Sequence, residues 1–314
     1  MLEQLWAEVL ARPDDDEPRR VLADALQERG DPRGEFIALQ LKGETVRSKA
    51  LLEQHLRGWL PQWPLSSPPE FVRGFPAHQA LRAIELALEH TRIVALAPTL
   101  SAITFTDESP AEWERGFGQL SASDLGFIRT LVLPVTFGPG DPYKLVDFDS
   151  VESLTFRGGM IGERGAQWLA RLQGVRELVL EWDVGLGPAG VAAFAGLPLT
   201  RLSSRENEVG SLRAFGQLKQ LALLDTRFDL ALLSACENLE ALDLSGVKIG
   251  NRGVAALVDL VPRLQSLRLV NARLTDACAE ALERFLKLKH LDVRDNALSA
   301  PTIERLRSGR TVIA

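Results

Sequence analysis

A chain of 314 residues has room for one large repeat array and a small additional unit. With 46% hydrophobic and 25% charged residues it lies in the ordinary globular range, which excludes wholesale disorder. A formal net charge of −6 excludes a general nucleic-acid surface and docking on anionic lipid, both of which need a basic stripe.

The first 60 residues read as a helical unit, with helices predicted over Leu2 to Ala11, Pro18 to Glu28, Glu35 to Leu41 and Val46 to Leu60. The first of these carries Glu3 and Glu8 and lacks a basic start. It is a poor signal peptide and too short to span a bilayer. Asp16 or Glu17 ahead of Pro18 is a helix-start signal, because proline suits the first helical turn. Gly30-Asp-Pro-Arg-Gly34 reads as a turn. Pro61, Pro64, Pro68 and Pro69 mark a stiff connection over 61–70. Phe71 to Leu81 follows as an opening strand, so the array is assigned 71–314 and the helical unit 1–60.

Beyond this point a pattern L-x-x-L-x-L recurs. It is clearest at Leu239-Glu-Ala-Leu242-Asp-Leu244, Leu264-Gln-Ser-Leu267-Arg-Leu269 and Leu288-Lys-His-Leu291-Asp-Val293. Weaker copies run from Leu100-Ser-Ala-Ile103-Thr-Phe105 through Val151-Glu-Ser-Leu154-Thr-Phe156 to Leu218-Lys-Gln-Leu221-Ala-Leu223. The second anchors Leu131, Leu154, Leu178, Leu202, Leu221, Leu242, Leu267 and Leu291 are spaced by 23, 24, 24, 19, 21, 25 and 24 residues. Each copy predicts a short strand with alternate side chains buried, stacked in parallel on its neighbours. Glu163 to Leu172, Asn251 to Leu260 and Thr275 to Phe285 read as helical return segments. The spacings of 19 and 21 leave little room for a helix, so the outer wall should thin there.

This pattern and period resemble leucine-rich repeats, and the longer copies resemble the ribonuclease-inhibitor type. The resemblance implies an α/β solenoid: a horseshoe with a parallel concave sheet and a partly helical convex side, capped by the helical unit. Its ninth position usually carries Asn. Here only Asn207 and Asn296 fit, with Gly159, Asp183, Thr226, Val247 and Ala272 elsewhere. Residues 12–40, from Arg12-Pro-Asp-Asp-Asp-Glu-Pro18 to Gly34-Glu-Phe-Ile-Ala-Leu-Gln40, are similar to the repeat-companion domain of myxobacterial and planctomycete proteins. Phe71-Val-Arg-Gly-Phe75 resembles the segment that often follows that domain. Leu22 and Ala25 stand where that family commonly has aromatics. The resemblance implies a bacterial origin and repeat-mediated binding, and it brings no catalytic residues.

Motifs for chemistry are missing from the sequence. No GxxxxGK[ST] and no G-x-S-x-G elbow occurs, and the glycine spacing of Gly185-Leu-Gly-Pro-Ala-Gly190 reads as a repeat turn, not a nucleotide loop. His55, His78, His90 and His290 are scattered, without metal-ligand spacing. Asp14 to Glu17 lacks the alternating ligands and glycine of a calcium loop and reads as a solvated helix start. Cys236 and Cys278 form no CxxC pair and read as core residues. No enzyme, cofactor or metal is expected.

What remains is the surface between the anchors. One column on the concave sheet contains Arg157, Glu181, Arg205, Leu224 and Arg294, with Trp182 beside it. A second contains Glu177 and Arg201, and a third Asp243, Arg268 and Asp292. Opposite charges on strands about 4.8 Å apart should pair across the ladder. The same residues make a mixed-charge docking face of the kind aromatic and arginine side chains anchor. Pro134 to Phe148, with Gly138-Pro-Gly-Asp-Pro142, should project as a loop. The sequence therefore points to a cytoplasmic adaptor or scaffold that binds a protein partner on the concave face. It should bind no nucleic acid, insert in no membrane and be monomeric outside its complex. Two alternatives stay open: a regulator such as a leucine-rich-repeat GTPase-activating protein, using Arg73 or Arg92 on transferring phosphate, and a secreted bacterial effector.

Overall fold

A computed structural model describes residues 1–133, 150–158, 162–182, 188–207, 209–213 and 215–314. Contacts divide the chain into two compact units, Met1–Leu131 and Val132–Ala314. The segment Pro134 to Phe148, expected to project, lies outside the described residues, as do Gly159 and Asp183.

The first unit opens with helices α1 (Leu2–Ala11), α2 (Glu17–Gln27), α3 (Pro32–Leu41) and α4 (Thr45–Trp59). Leu2, Leu5, Trp6 and Val9 recur at helical spacing along α1 and pack on Leu22, Ala23 and Leu26 of α2, Ile37 of α3 and Phe75. Helix α3 begins three residues before the expected Glu35. Asp31 accepts a hydrogen bond from the Arg33 N–H at 2.9 Å and Pro32 takes the first turn, so the Asp-Pro pair starts the helix instead of ending a turn. Gly34 then lies so close to α2 that a Cβ there would sit 2.5 Å from the Ala23 carbonyl oxygen.

The expected single strand over Phe71 to Leu81 is a hairpin, β1 (Glu70–Val72) and β2 (Phe75–Leu81), paired antiparallel. Arg73 and Gly74, with φ of +51° and +90°, make the two-residue reversal that matches strand twist. The hairpin tip is pinned to the helices. Arg73 donates to the carbonyls of Pro13 and Asp14 at 3.0 Å each and to the Asp16 carboxylate at 3.2 Å. The Gly74 N–H donates to Gln40 Oε1 at 2.6 Å, and the Gln40 amide returns a bond to Phe71 O at 3.3 Å. The acidic run therefore receives the hairpin arginine as well as opening α2.

Helix α5 (Ala83–Leu96), β3 (Ala102–Phe105), α6 (Pro110–Phe117), α7 (Ala122–Leu125) and β4 (Thr130–Leu133) follow, and the unit boundary falls inside β4. Strand β2 pairs parallel with β3, His78 opposite Ala102 and Leu81 opposite Phe105. The array therefore opens one strand earlier than the leucine pattern shows. Gln79 occupies the anchor position opposite Ile103, buried at 1% exposure, which hid this repeat from the pattern.

The second unit contains β5 (Ser153–Arg157), α8 (Gly162–Leu169), β6 (Glu177–Glu181), α9 (Pro188–Ala193), β7 (Arg201–Arg205), β8 (Gln220–Leu224) and β9 (Ala241–Asp243). Helix α10 (Gly250–Leu260), β10 (Ser266–Arg268), α11 (Ala279–Glu283), β11 (His290–Asp292), α12 (Ala300–Leu306) and β12 (Thr311–Ile313) complete it. These strands pair in chain order, all parallel, with anchor opposite anchor: Leu154, Leu178, Leu202, Leu221, Leu242, Leu267, Leu291 and Val312. The leucine anchors are buried at 2% or less. Each buried leucine contributes about 1.5–3 kcal/mol, so a one-residue slip, which would expose them all, is strongly disfavoured. The shortened repeats thin as expected. Among the described residues no helix connects β7 to β8, and a 3-10 turn over Leu230–Ala235 connects β8 to β9.

Candidate binding surface

Burial alternates along the strands of the second unit. In β5, Leu154 and Phe156 face the core while Ser153, Thr155 and Arg157 face outward. The ladder register sets these outward residues side by side. Glu177 lies opposite Arg201, and the two side chains meet in a hydrogen bond of 2.8 Å. Arg157 lies opposite Glu181 at 3.6 Å. Arg268 sits between Asp243 and Asp292, at 3.3 and 3.5 Å. The two half-exposed pairs, Glu177–Arg201 and Arg157–Glu181, contribute about 0.2–1 kcal/mol each, enough to neutralise the face but not to hold the sheet together.

Two details differ from the expected alternation. Arg205 does not join Glu181. The β6–β7 ladder ends at Ser204, and the guanidinium reaches Asp225 at 3.7 Å while lying 5.7 Å over the Trp182 ring. Asp292 is not open to a docking partner. It is 5% exposed and accepts two hydrogen bonds from Arg294, at 3.0 and 2.7 Å. These bonds, with the Arg294 N–H and the Arg268 charge, hold its carboxyl below the ordinary carboxylate range despite burial. Asp292 thus positions Arg268 and Arg294, which are about half exposed.

The floor between the charges is made of small side chains: Thr155, Val179, Ser203 and Ala222 stand in register on β5 to β8. Leu224 flanks them, half-buried, and Trp182 is 54% exposed.

Just past the strands is a regularity that the leucine search missed. The residue four beyond each leucine anchor from Leu154 to Leu291 has a positive φ: Gly158, Trp182, Glu206, Asp225, Gly246, Asn271 and Asp295, from +50° to +85°. The backbone turns there out of the strand, and glycine, Asn and Asp tolerate that conformation best. The recurring Gly, Asn and Asp at this spacing were the available signal. Trp182 and Glu206 are the two exceptions, and they stand on adjacent strands. One residue on, the expected asparagines do serve the turn. Asn207 donates to the carbonyls of Trp182 and Arg205 at 2.9 and 2.8 Å. Asn296 accepts from the Ala272 and Leu274 N–H groups and donates to the carbonyls of Leu269, Val293 and Arg294.

Residues 235–258 match a family model described as a leucine-rich repeat. That stretch contains β9 and most of α10, one turn of the leucine-rich-repeat solenoid that the register builds. No curated protein matches the chain. Among solved structures, an internalin (inlF) from Listeria monocytogenes is similar at 15% identity over 70% of this chain and 68% of that chain, TM-score 0.43. A leucine-rich-repeat protein of Leptospira interrogans is similar at 16% identity over 70% and 67%, TM-score 0.39. A chain of the mouse RP105/MD-1 complex is similar at 17% identity, TM-score 0.41; the match covers 64% of this chain but only 40% of that one.

Several of the other groups considered for chemistry have structural partners. Arg73 is tied to the α1–α2 loop, and Arg92 to Glu89 and the Gln62 carbonyl. His78 bridges Glu70 at 2.9 Å and Thr104 at 2.7 Å, His55 stacks on Trp59, and His90 meets Asp124 at 3.1 Å. Both cysteine thiols are buried, which pushes each up to about 11. Among the described residues no group of three His, Cys, Asp or Glu side chains converges as metal ligands would, and no helix is long and apolar enough to cross a membrane.

Proposed function

We propose that the protein is a non-catalytic adaptor or scaffold that takes a protein partner on the outward face of β5 to β11. The observation that carries this reading is the face itself: a small-residue floor four strands wide, bordered by charges already paired with each other and by the exposed Trp182. Partner contacts there require little desolvation of lone charges, and an exposed tryptophan with arginines is the usual anchor set of an interface. Leucine-rich repeats in general serve as extended binding surfaces. A cytoplasmic location, a monomeric state outside the complex and a capping role for the companion-like helices belong to the same reading. An arginine-finger regulator is less favoured, because Arg73 and Arg92 are both engaged.

The test is affinity capture from a lysate of the source cell, comparing the wild-type chain with Ser203→Tyr. Ser203 lies between Val179 and Ala222 and forms none of the ion pairs, so tyrosine fills the floor without removing a contact. A partner held on this face should be lost with Ser203→Tyr. Equal recovery of the same partner by a folded Ser203→Tyr chain would refute the assignment.

A further inference from the structure

Trp182 has a bulky side chain at a left-handed position, and Glu206 repeats the departure on the next strand. A large residue there carries a conformational cost that the Gly, Asn and Asp of the other repeats avoid. Neither side chain recovers it by burial, since Trp182 is 54% exposed and Glu206 is exposed as well. The indole already has a cation over it, the Arg205 guanidinium at 5.7 Å. That guanidinium is weakly held, since its ion pair with Asp225 is 3.7 Å long and is not a hydrogen bond. Glu181 precedes Trp182 and pairs with Arg157, Asp225 pairs with the Arg205 that lies over the ring, and Glu206, at the corresponding position of the next repeat, adds a carboxylate; the whole chain carries −6.

We infer that Trp182, Glu206 and Asp225 form a subsite for a cationic side chain, so that the partner presents an arginine or lysine in a basic segment. The inference rests on the adaptor reading of this face. The indole supplies a π-face on which a guanidinium or ammonium is attracted, and the neighbouring carboxylates supply the counter-charge. Arg205 shows that a guanidinium fits over the ring. The net negative charge of the chain steers a basic segment toward the site.

The probe is a fluorescein-labelled peptide, acetyl-Gly-Arg-Gly-Arg-Gly, followed by anisotropy at low salt, with the Glu counterpart as control. The arginine peptide should bind the full chain and the glutamate peptide should not. Trp182→Gly and Glu206→Asn should each weaken it at least fivefold, while the melting temperature stays level or rises because both new residues suit the left-handed position. Glu237→Gln, on a return segment, should leave binding unchanged. No binding of the arginine peptide overturns the inference, and so does an equal loss with Glu237→Gln, which would mean diffuse charge attraction. A melting temperature that falls in both variants also overturns it, because the two side chains would then be structural. The two readings fail separately. A captured partner released by Ser203→Tyr but retained by Trp182→Gly removes the cation subsite and leaves the adaptor. A partner insensitive to Ser203→Tyr removes the adaptor surface itself.

Discussion

Replacing Asn296 by alanine tests the polar bracing of the last repeats. Asn296 Oδ1 accepts from the Ala272 N–H at 3.0 Å and the Leu274 N–H at 2.9 Å. Both of those residues are at 0% exposure, so water replaces the lost acceptor only in part. An orphaned buried N–H costs about 1–3 kcal/mol. The three carbonyls that receive the Asn296 amide, at 2.7, 2.9 and 3.1 Å, each keep a second lone pair and cost less. Because Asn296 itself is half-buried, partial hydration recovers some of the sum, and Asn296→Ala should destabilise the second unit by about 2–4 kcal/mol. Urea unfolding reads the global loss, and amide hydrogen exchange at Ala272 and Leu274 reads its origin. Asn296→Asp separates the two halves of the brace: it keeps the acceptor but sets a carboxylate against three carbonyls. It should preserve protection at the two amides while still losing stability. An alanine variant within about 0.5 kcal/mol of wild type, with unchanged exchange at both amides, would show the reasoning to be wrong.

Gly74→Ala should loosen the hairpin from the helices, because its φ is +90° and a Cβ would lie 2.9 Å from the Ile37 Cα. We expect a loss of about 2–4 kcal/mol from strain and displaced packing, measured by thermal unfolding of the first unit. Asp292 has its carboxyl lowered first by Arg294, so its contribution is present above the unfolded carboxyl pKa of about 3.9 and is lost as pH falls through the lower folded value. Melting curves from pH 6 down to about pH 2 should show a shallower acid-side loss in Asp292→Asn, which starts about 1.5–3 kcal/mol less stable at neutral pH; a parallel pH profile would contradict this. Cys236 and Cys278, buried with thiols pushed up to about 11, should resist iodoacetamide at pH 8 in the native chain and react once it is unfolded; rapid native labelling, read by mass spectrometry, would disprove it.

The sequence alone determined the repeat. A leucine returning every 19 to 25 residues can be buried by every turn at once only in stacked parallel strands, so strand positions, facing and the thinned wall near Leu221 all follow from the leucine spacing. It also placed Glu177 beside Arg201 and Arg157 beside Glu181, because register alone sets such neighbours. Only the tertiary structure decided what depends on backbone direction and on competition among partners. The opening strand over Phe71 to Leu81 was legible, but Gln79 at its anchor hid its place in the repeat register, since a buried amide does not register in a hydrophobic pattern. Arg205 turned from Glu181 to Asp225 and Trp182 because the ladder stops short of it. Asp292 sank beneath two arginines, although its place in the pattern is outward. The left-handed column that sets Trp182 beside Glu206 is a property of φ. Residue type biases that angle without dictating it, and a tryptophan can be held there only when the strand and turn on either side are already fixed.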